Sequence, residues 1–176
     1  MIPRLETARL ILRAHTLDDF PAMAAIWADP EVTRFILGPP SSPEATWARL
    51  LRHAGHWQMR GFGYWAVECR ATGAFFGDVG LADWHRGFDP PEPFLPEAGW
   101  VLARAAHGRG LATEAMAAVL AWADARPDMA RISAIFDPAH VVSLAVARKL
   151  GFGGDRLTCY GGTPTLRLER SRPRAG

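Results

Sequence analysis

Two apolar runs, Tyr64-Trp65-Ala66-Val67-Glu68-Cys69 and Phe75-Phe76-Gly77-Asp78-Val79-Gly80-Leu81, flank Ala71-Thr72-Gly73, a triplet of hairpin-turn composition. An antiparallel hairpin in mid-chain constrains the fold strongly, because a doubly wound parallel sheet needs a crossover between successive strands. Ahead of it the pattern predicts a strand over 10–13 and a helix over 17–28, with Asp18-Asp19 at its start and Asp29-Pro30 at its stop. Ser42-Pro43-Glu44 opens a second helix that runs to Met59 and ends at Gly61 to Gly63. Behind the hairpin, four prolines between Asp89 and Pro96 fix φ and remove donors, so that stretch reads as a loop. The rest predicts a strand over 97–102, an alanine-rich helix over 110–125, a strand over 131–135, a helix over 141–150 stopped by Gly151, and a weak hairpin of 157–160 and 165–168. This order, β-α-α-β-β-β-α-β-α-β-β, predicts a mixed α+β domain: a mixed sheet with helices on its faces.

A chain of 176 residues that is 49% hydrophobic and 22% charged has the size and balance of one domain with a continuous core, expected over 1–170 with a disordered tail over 171–176. Twenty basic and eighteen acidic residues leave a charge of +2, with Lys149 the one lysine, which is no nucleic-acid footprint. Cys69 and Cys159 form no CxxC and imply neither a disulfide framework nor structural zinc. His53 and His56 stand three apart on the second helix without a Cys or Glu to complete a ligand set, so no metal is expected. The charged start and the lack of a run of about 20 apolar residues argue against a signal peptide and a membrane span, which places the expected protein in the cytoplasm.

Chemistry concentrates where the strand Glu97-Ala98-Gly99-Trp100-Val101-Leu102 leads through His107-Gly108-Arg109-Gly110 into the helix beginning Leu111-Ala112-Thr113-Glu114. A turn that opens a helix presents unpaired N–H groups at the positive end of the dipole. Gly108 and Gly110 let an anion approach the backbone, and Arg109 can add a charge-assisted contact. The same glycines could serve only to make a tight turn. A dinucleotide site would want a third glycine where Thr113 stands and an acidic ribose partner, for which Asp137 is available, but the antiparallel strands upstream fit that reading poorly.

With His140-Val141-Val142-Ser143 and the later Lys149-x-Gly151-Phe152, this segment resembles the GNAT superfamily of acyl-coenzyme A dependent N-acetyltransferases. The family's Arg/Gln-x-x-Gly-x-Gly/Ala turn is matched at Gly108 and Gly110, and its Asn-x-x-Ser helix start at Ser143. The opening Leu5-Glu6-Thr7-x-Arg9-Leu10-x-Leu12-Arg13 and Gly77-x-Val79-Gly80-Leu81 look like the branch holding the ribosomal-protein N-terminal (Rim-type) acetyltransferases, so the resemblance spans nearly the whole chain. It departs at Ala105, where the family usually has Arg or Gln, and at His140, where it usually has Asn.

The resemblance implies a mixed, mostly antiparallel sheet flanked by about four helices, with strands splayed around acetyl-coenzyme A as co-substrate. It implies that His107, Gly108, Arg109, Gly110, Leu111, Ala112 and Thr113 hold the pyrophosphate, that backbone N–H groups of Gly99, Trp100 and Val101 meet the carrier and the oxyanion, and that His140 and Ser143 lie along the pantetheine arm. Arg148 and Lys149 could reach a phosphate, although basic residues in a last helical turn also answer the macrodipole. Glu97 is the candidate base, against the reading of an ordinary strand-end carboxylate; Ser143, then Tyr160, are candidates to protonate the leaving thiolate, against a helix-capping role for Ser143 and a hairpin aromatic for Tyr160. Trp84, His85 and Glu97 lie where the family's acceptor groove forms. The expected partner is a small-molecule amine or a protein N-terminus, acetylated directly in a ternary complex by a monomer or homodimer. A non-catalytic acyl-coenzyme A sensor and a dinucleotide oxidoreductase are the competing readings.

Overall fold

The computed structural model describes residues 1–36 and 38–173. In chain order its elements are β1 (Leu5–Glu6), β2 (Leu10–Arg13), α1 (Phe20–Ala28), α2 (Pro30–Thr33), α3 (Pro43–Arg60), β3 (Tyr64–Cys69), β4 (Phe75–Ala82), β5 (Phe88–Asp89), β6 (Glu97–Leu102), α4 (Leu111–Asp124), β7 (Arg131–Phe136), α5 (Val141–Lys149), β8 (Gly153–Tyr160) and β9 (Thr163–Ser171). The strands form one sheet in the order β1-β2-β3-β4-β6-β7-β9-β8-β5. Every neighbouring pair is antiparallel except β6 and β7, so the dinucleotide reading has no doubly wound sheet to stand on.

Side chains alternate between the two faces of the sheet. Leu10, Leu12, Trp65, Val67, Val79 and Leu81 point to one face and are buried with Leu111, Ala115, Met116, Val119 and Leu120 of α4 in the main core. Trp57, Trp65 and Trp122 meet edge-to-face there, with centroids 4.6–5.6 Å apart. The opposite face carries Tyr64, Asp78, Glu97, Gly99 and Val101, and over part of it Met23 and Trp27 of α1 pack with Leu50 of α3 in a second, smaller core. α3 is sharply bounded: Ser42 caps its first turn, accepting from the Ala45 N–H at 3.1 Å, and Gly61 closes it in the left-handed region.

Four local departures from the sequence reading have identifiable causes. The first helix begins as a 3₁₀ turn, Leu17–Asp19, because the Asp19 carboxylate turns back to accept from Thr16 N–H at 2.8 Å. Asp89 leaves the proline loop and pairs with Cys159 in β5. The closing hairpin is far longer than expected, since its charges pair across strands: Arg131 and Arg156 both reach Glu169, and Arg167 and Arg156 both reach Glu92. Finally, β9 runs through Ser171, which pairs with Arg131, and Arg172 N–H donates to Ala130 O at 2.9 Å, so the expected tail is drawn into the sheet at its start. Residues 174–176 of that tail lie outside the described residues. Among the described residues no helix is long and apolar enough to cross a membrane.

Candidate active site

β6 and β7 are in register at one position, Glu97 opposite Ser133, where Ser133 N–H donates to Pro96 O at 2.9 Å. Beyond it the two strands part. Ala103 N–H donates to Phe76 O at 2.8 Å on the β4 side, so alternation turns the peptide groups of Ala98, Trp100 and Leu102 toward β7. The Trp100 N–H therefore faces the gap. At the wide end Leu102 O is taken by the His107 ring at 2.8 Å, which anchors the turn that follows.

In that turn Gly108 and Gly110 have φ of +71° and +72°, the left-handed region where a side chain would be strained. The first intrahelical bond of α4 runs from Glu114 N–H to Gly110 O at 3.1 Å, leaving the Leu111, Ala112 and Thr113 amides ahead of it without helical acceptors. This is a cradle suited to a diphosphate. It is braced from behind: Glu114 accepts from Thr7 Oγ1 (2.6 Å), Arg9 N–H (2.9 Å) and Arg9 Nε (2.6 Å), and Arg9 also donates to Arg109 O at 2.9 Å. These donors hold the Glu114 carboxyl below its ordinary range against the opposing pull of desolvation. The Arg109 guanidinium folds back onto Ala105 O and the Phe76 ring.

Across the gap, Trp100 Nε1 donates to Ser143 Oγ at 3.3 Å, and Ser143 Oγ lies 3.2 Å from His140 Nε2. His140, whose partial burial lowers its pKa, stacks on Phe35 at 4.5 Å, so the segment after α2 reaches α5. The structure thus brings together the 107–113 turn, the Trp100 N–H, His140 and Ser143, whereas the N–H groups of Gly99 and Val101, expected to meet the carrier, turn to β4 opposite Gly80 and Asp78. It does not bring Arg148 to the turn: that guanidinium pairs with Asp155, which follows Gly154 in the left-handed region at the start of β8. Lys149 is exposed on the last turn of α5.

Glu97, Tyr160, Trp84 and His85 form a second group. Glu97 is buried and holds Arg86 through two bonds of 2.8 Å, and the same guanidinium lies 4.7 Å from the Tyr160 ring centroid and 5.3 Å from that of Trp84. Both oxygens of the candidate base are engaged. Tyr160 stands with Arg86 and Phe88 while Ser143 bonds Trp100, so the two acid candidates belong to separate groups. A cavity of about 180 Å³ opens beside Glu97, walled by Trp84, His85, Arg86, Phe94 and Arg167. His85 is exposed at its edge, stacked on Phe94.

Sequence reasoning passed over three participants. Tyr64 is buried, with its hydroxyl raised by desolvation, and sits so tightly on β6 that a Cβ on Gly99 would lie 2.0 Å from its oxygen. Arg86 was invisible as a lone loop arginine. Asp78 accepts from His15 Nε2 (2.7 Å) and Trp27 Nε1 (3.0 Å), and His53 stacks between His15 and Tyr64. The signal was there: a carboxylate inside the apolar run Gly77-Asp78-Val79-Gly80 has to find partners. His53 does not pair with His56, whose ring bonds Phe62 O and Asp83 N–H; it joins His15 and Asp78 instead, with ligand-type atoms within 4.8 Å of one another.

A strand pair that parts beside an anion-receiving turn defines an acyl-thioester transferase architecture, and comparison with known proteins agrees. The acetyltransferase (GNAT) domain model matches residues 9–153, and the chain belongs to that family. It is 31% identical over 157 residues to the uncharacterized N-acetyltransferase YoaA of Bacillus subtilis (strain 168), covering 86% of this chain and 84% of the relative. A solved GnaT-family acetyltransferase from Bordetella pertussis superposes with a TM-score of 0.83 at 32% identity, covering 97% of this chain and all of that one. RimL, a ribosomal L7/L12 α-N-protein acetyltransferase solved with coenzyme A, has a TM-score of 0.75 at 16% identity over 96% and 98% of the two chains, a likeness of fold. The protein is an acyltransferase of the GNAT family.

Proposed function

We propose that this enzyme transfers an acetyl group from acetyl-coenzyme A to a primary amine by direct attack in a ternary complex. The observation that carries the reading is the parting of β6 from β7 with the Gly108–Thr113 amides at its wide end. The diphosphate rests on those amides and the thioester lies along the Trp100 backbone, whose N–H receives the oxyanion as the amine adds to the carbonyl carbon. The C–S bond then breaks. Ser143 accepts from Trp100 Nε1 and so keeps its own proton to give to the thiolate, with His140, neutral through burial, as the resting acceptor.

The amine enters from the Tyr64–Glu97 side. An α-amine has an ordinary pKa near 8 and reaches the site partly deprotonated, so it needs less help than a lysine near 10.4. Glu97 walls the adjoining cavity, and it serves as base there through solvent, since Arg86 bonds both of its oxygens directly. Tyr160 steadies Arg86, a positioning role. The Rim-like opening motif supports a peptide or amino-acid α-amine as acceptor; its Thr7 and Arg9 brace the turn through Glu114. Neither cysteine lies at the gap by element, which supports direct transfer over an acyl-enzyme.

Thiol release from acetyl-coenzyme A with an amine panel tests the proposal. Turnover is expected, reduced about a hundredfold in kcat by Ser143→Ala. Calorimetry that detects no binding of acetyl-coenzyme A would refute it.

A further inference from the structure

Two arginines of α3 stand over the acceptor side without a carboxylate. Arg49 and Arg52 are three residues apart and share a helix face. Each is laid on a tryptophan ring: the Arg49 guanidinium lies 3.4 Å from the Trp27 centroid and donates to Ser41 Oγ at 3.1 Å, and Arg52 lies 4.7 Å from the Trp84 centroid. Neither meets a carboxylate among the described residues, whereas most other arginines of the chain do. Acidic groups do lie nearby, but they are taken. Asp78 is held by His15 and Trp27, and Glu97 by both donors of Arg86.

Arg52 lies on Trp84, whose ring meets Tyr64 edge-to-face with centroids 6.2 Å apart, and the Tyr64 hydroxyl rests on Gly99 beside the parted strands. Arg52 is thus joined through two rings to the parted strands, while Arg49 is joined through Trp27 to Asp78 on the same face of the sheet. Burial and mutual repulsion lower the pKa of Arg49, and an anion set between the two side chains would relieve both. Ring stacking has already removed much of their rotamer freedom, so an anion arriving there meets preorganised donors.

We infer that Arg49 and Arg52 form an anion subsite for the acceptor, so that the amine this enzyme acetylates carries a carboxylate or phosphate close to its nitrogen. The inference rests on the acetyltransferase reading and narrows its substrate class. It disfavours polyamines and polycationic antibiotics, which two unpaired arginines would repel.

Matched amine pairs test it in the thiol-release assay: an alanine dipeptide against its C-terminal amide, and 2-aminoethyl phosphate against ethanolamine, with spermidine as the cationic control. The dipeptide pair reads a carboxylate and the other pair a phosphate. The anionic member of at least one pair is expected to lead in kcat/KM by about ten- to a hundredfold, the weight of one or two charge-assisted bonds, and Arg49→Gln with Arg52→Gln is expected to erase the lead. Equal turnover within both pairs, preferred turnover of spermidine, or a lead that survives the double substitution would overturn the inference. A binding measurement keeps it independent of turnover: inorganic phosphate is titrated against tryptophan fluorescence in protein saturated with coenzyme A, so that the Gly108–Thr113 turn is already filled. A saturable change weakened at least tenfold by Arg52→Gln supports the subsite, and no change counts against it. Failure to bind coenzyme A at all would strike the transferase reading instead, and phosphate titration of the free protein, compared with the double variant, would then decide the subsite alone.

Discussion

Arg9 and Glu114, 105 residues apart in sequence, meet through a bond of 2.6 Å behind the turn that opens α4. Because the same arginine also donates to Arg109 O, the ion pair sets the position of the backbone that would receive a diphosphate. Glu114→Gln should weaken acetyl-coenzyme A binding and cost about 1–2 kcal/mol of stability at neutral pH. Its folded-state pKa is lowered, so its contribution is present above the ordinary carboxylate value and disappears as pH falls through the folded value. Melting temperatures of the two proteins measured from pH 7 downward should converge in acid; a constant gap would show that the charge is irrelevant.

Tyr64 and Gly99 offer a sharper test of how the acceptor wall fits β6. A methyl at position 99 would stand 2.0 Å from the Tyr64 oxygen, and Tyr64 is fixed between His53 and Trp84, so it has little room to withdraw. Gly99→Ala should cost about 1–3 kcal/mol through overpacking. Adding Tyr64→Phe should return part of that loss, measured by urea unfolding. If the double variant is no more stable than Gly99→Ala alone, the hydroxyl is not what the methyl strikes.

Local signals carried most of the fold. The hairpin at Ala71-Thr72-Gly73, the helix opened by Ser42-Pro43 and the glycine turn before α4 are each specified within a few residues, and the structure has them there. The proposed cofactor side rests on the same kind of signal, since Gly108, Gly110 and Ser143 sit in short motifs. The acceptor side does not. Arg86 reaches Glu97 from a loop and Tyr64 leans on Gly99 from another strand, and on the cofactor side Arg148 likewise turns away to Asp155, all tertiary relationships that spacing along one element does not express. β8 and β9 looked weak because their charges read as solvent-facing until Glu92 and Glu169 supplied partners.

Arg167 is 2% exposed and Glu92 is held against it at 3.0 Å, with Pro93 O accepting a second bond at 2.9 Å, so the proline loop is fastened to β9 by a buried charge. Removing the Glu92 charge leaves Arg167 with Pro93 O and with Glu169 at 3.7 Å. Glu92→Gln should cost about 1–3 kcal/mol, whereas Glu92→Leu combined with Arg167→Met should lie close to the wild type. Urea unfolding of the single and double variants checks this, and a double variant as unstable as the single one would mean that packing, not charge, fastens the loop.

His53 should make the protein sensitive to mild acid. The ring is buried between His15 and Tyr64, its Nε2 has no hydrogen-bond partner, and burial brings its pKa down to about 3 despite the favourable field of Asp78. The unfolded chain protonates the same ring near 6.5, so between those two values the unfolded state binds the extra proton and stability falls as pH falls. The slope contributed by this residue approaches about 1.4 kcal/mol per pH unit in that window and vanishes above it. His53→Phe keeps an aromatic ring between its two neighbours and takes away the proton site. Unfolding free energies measured at intervals from pH 7 to pH 4.5 should therefore decline less steeply for the variant than for the wild type, and parallel curves would show that His53 does not carry the acid response.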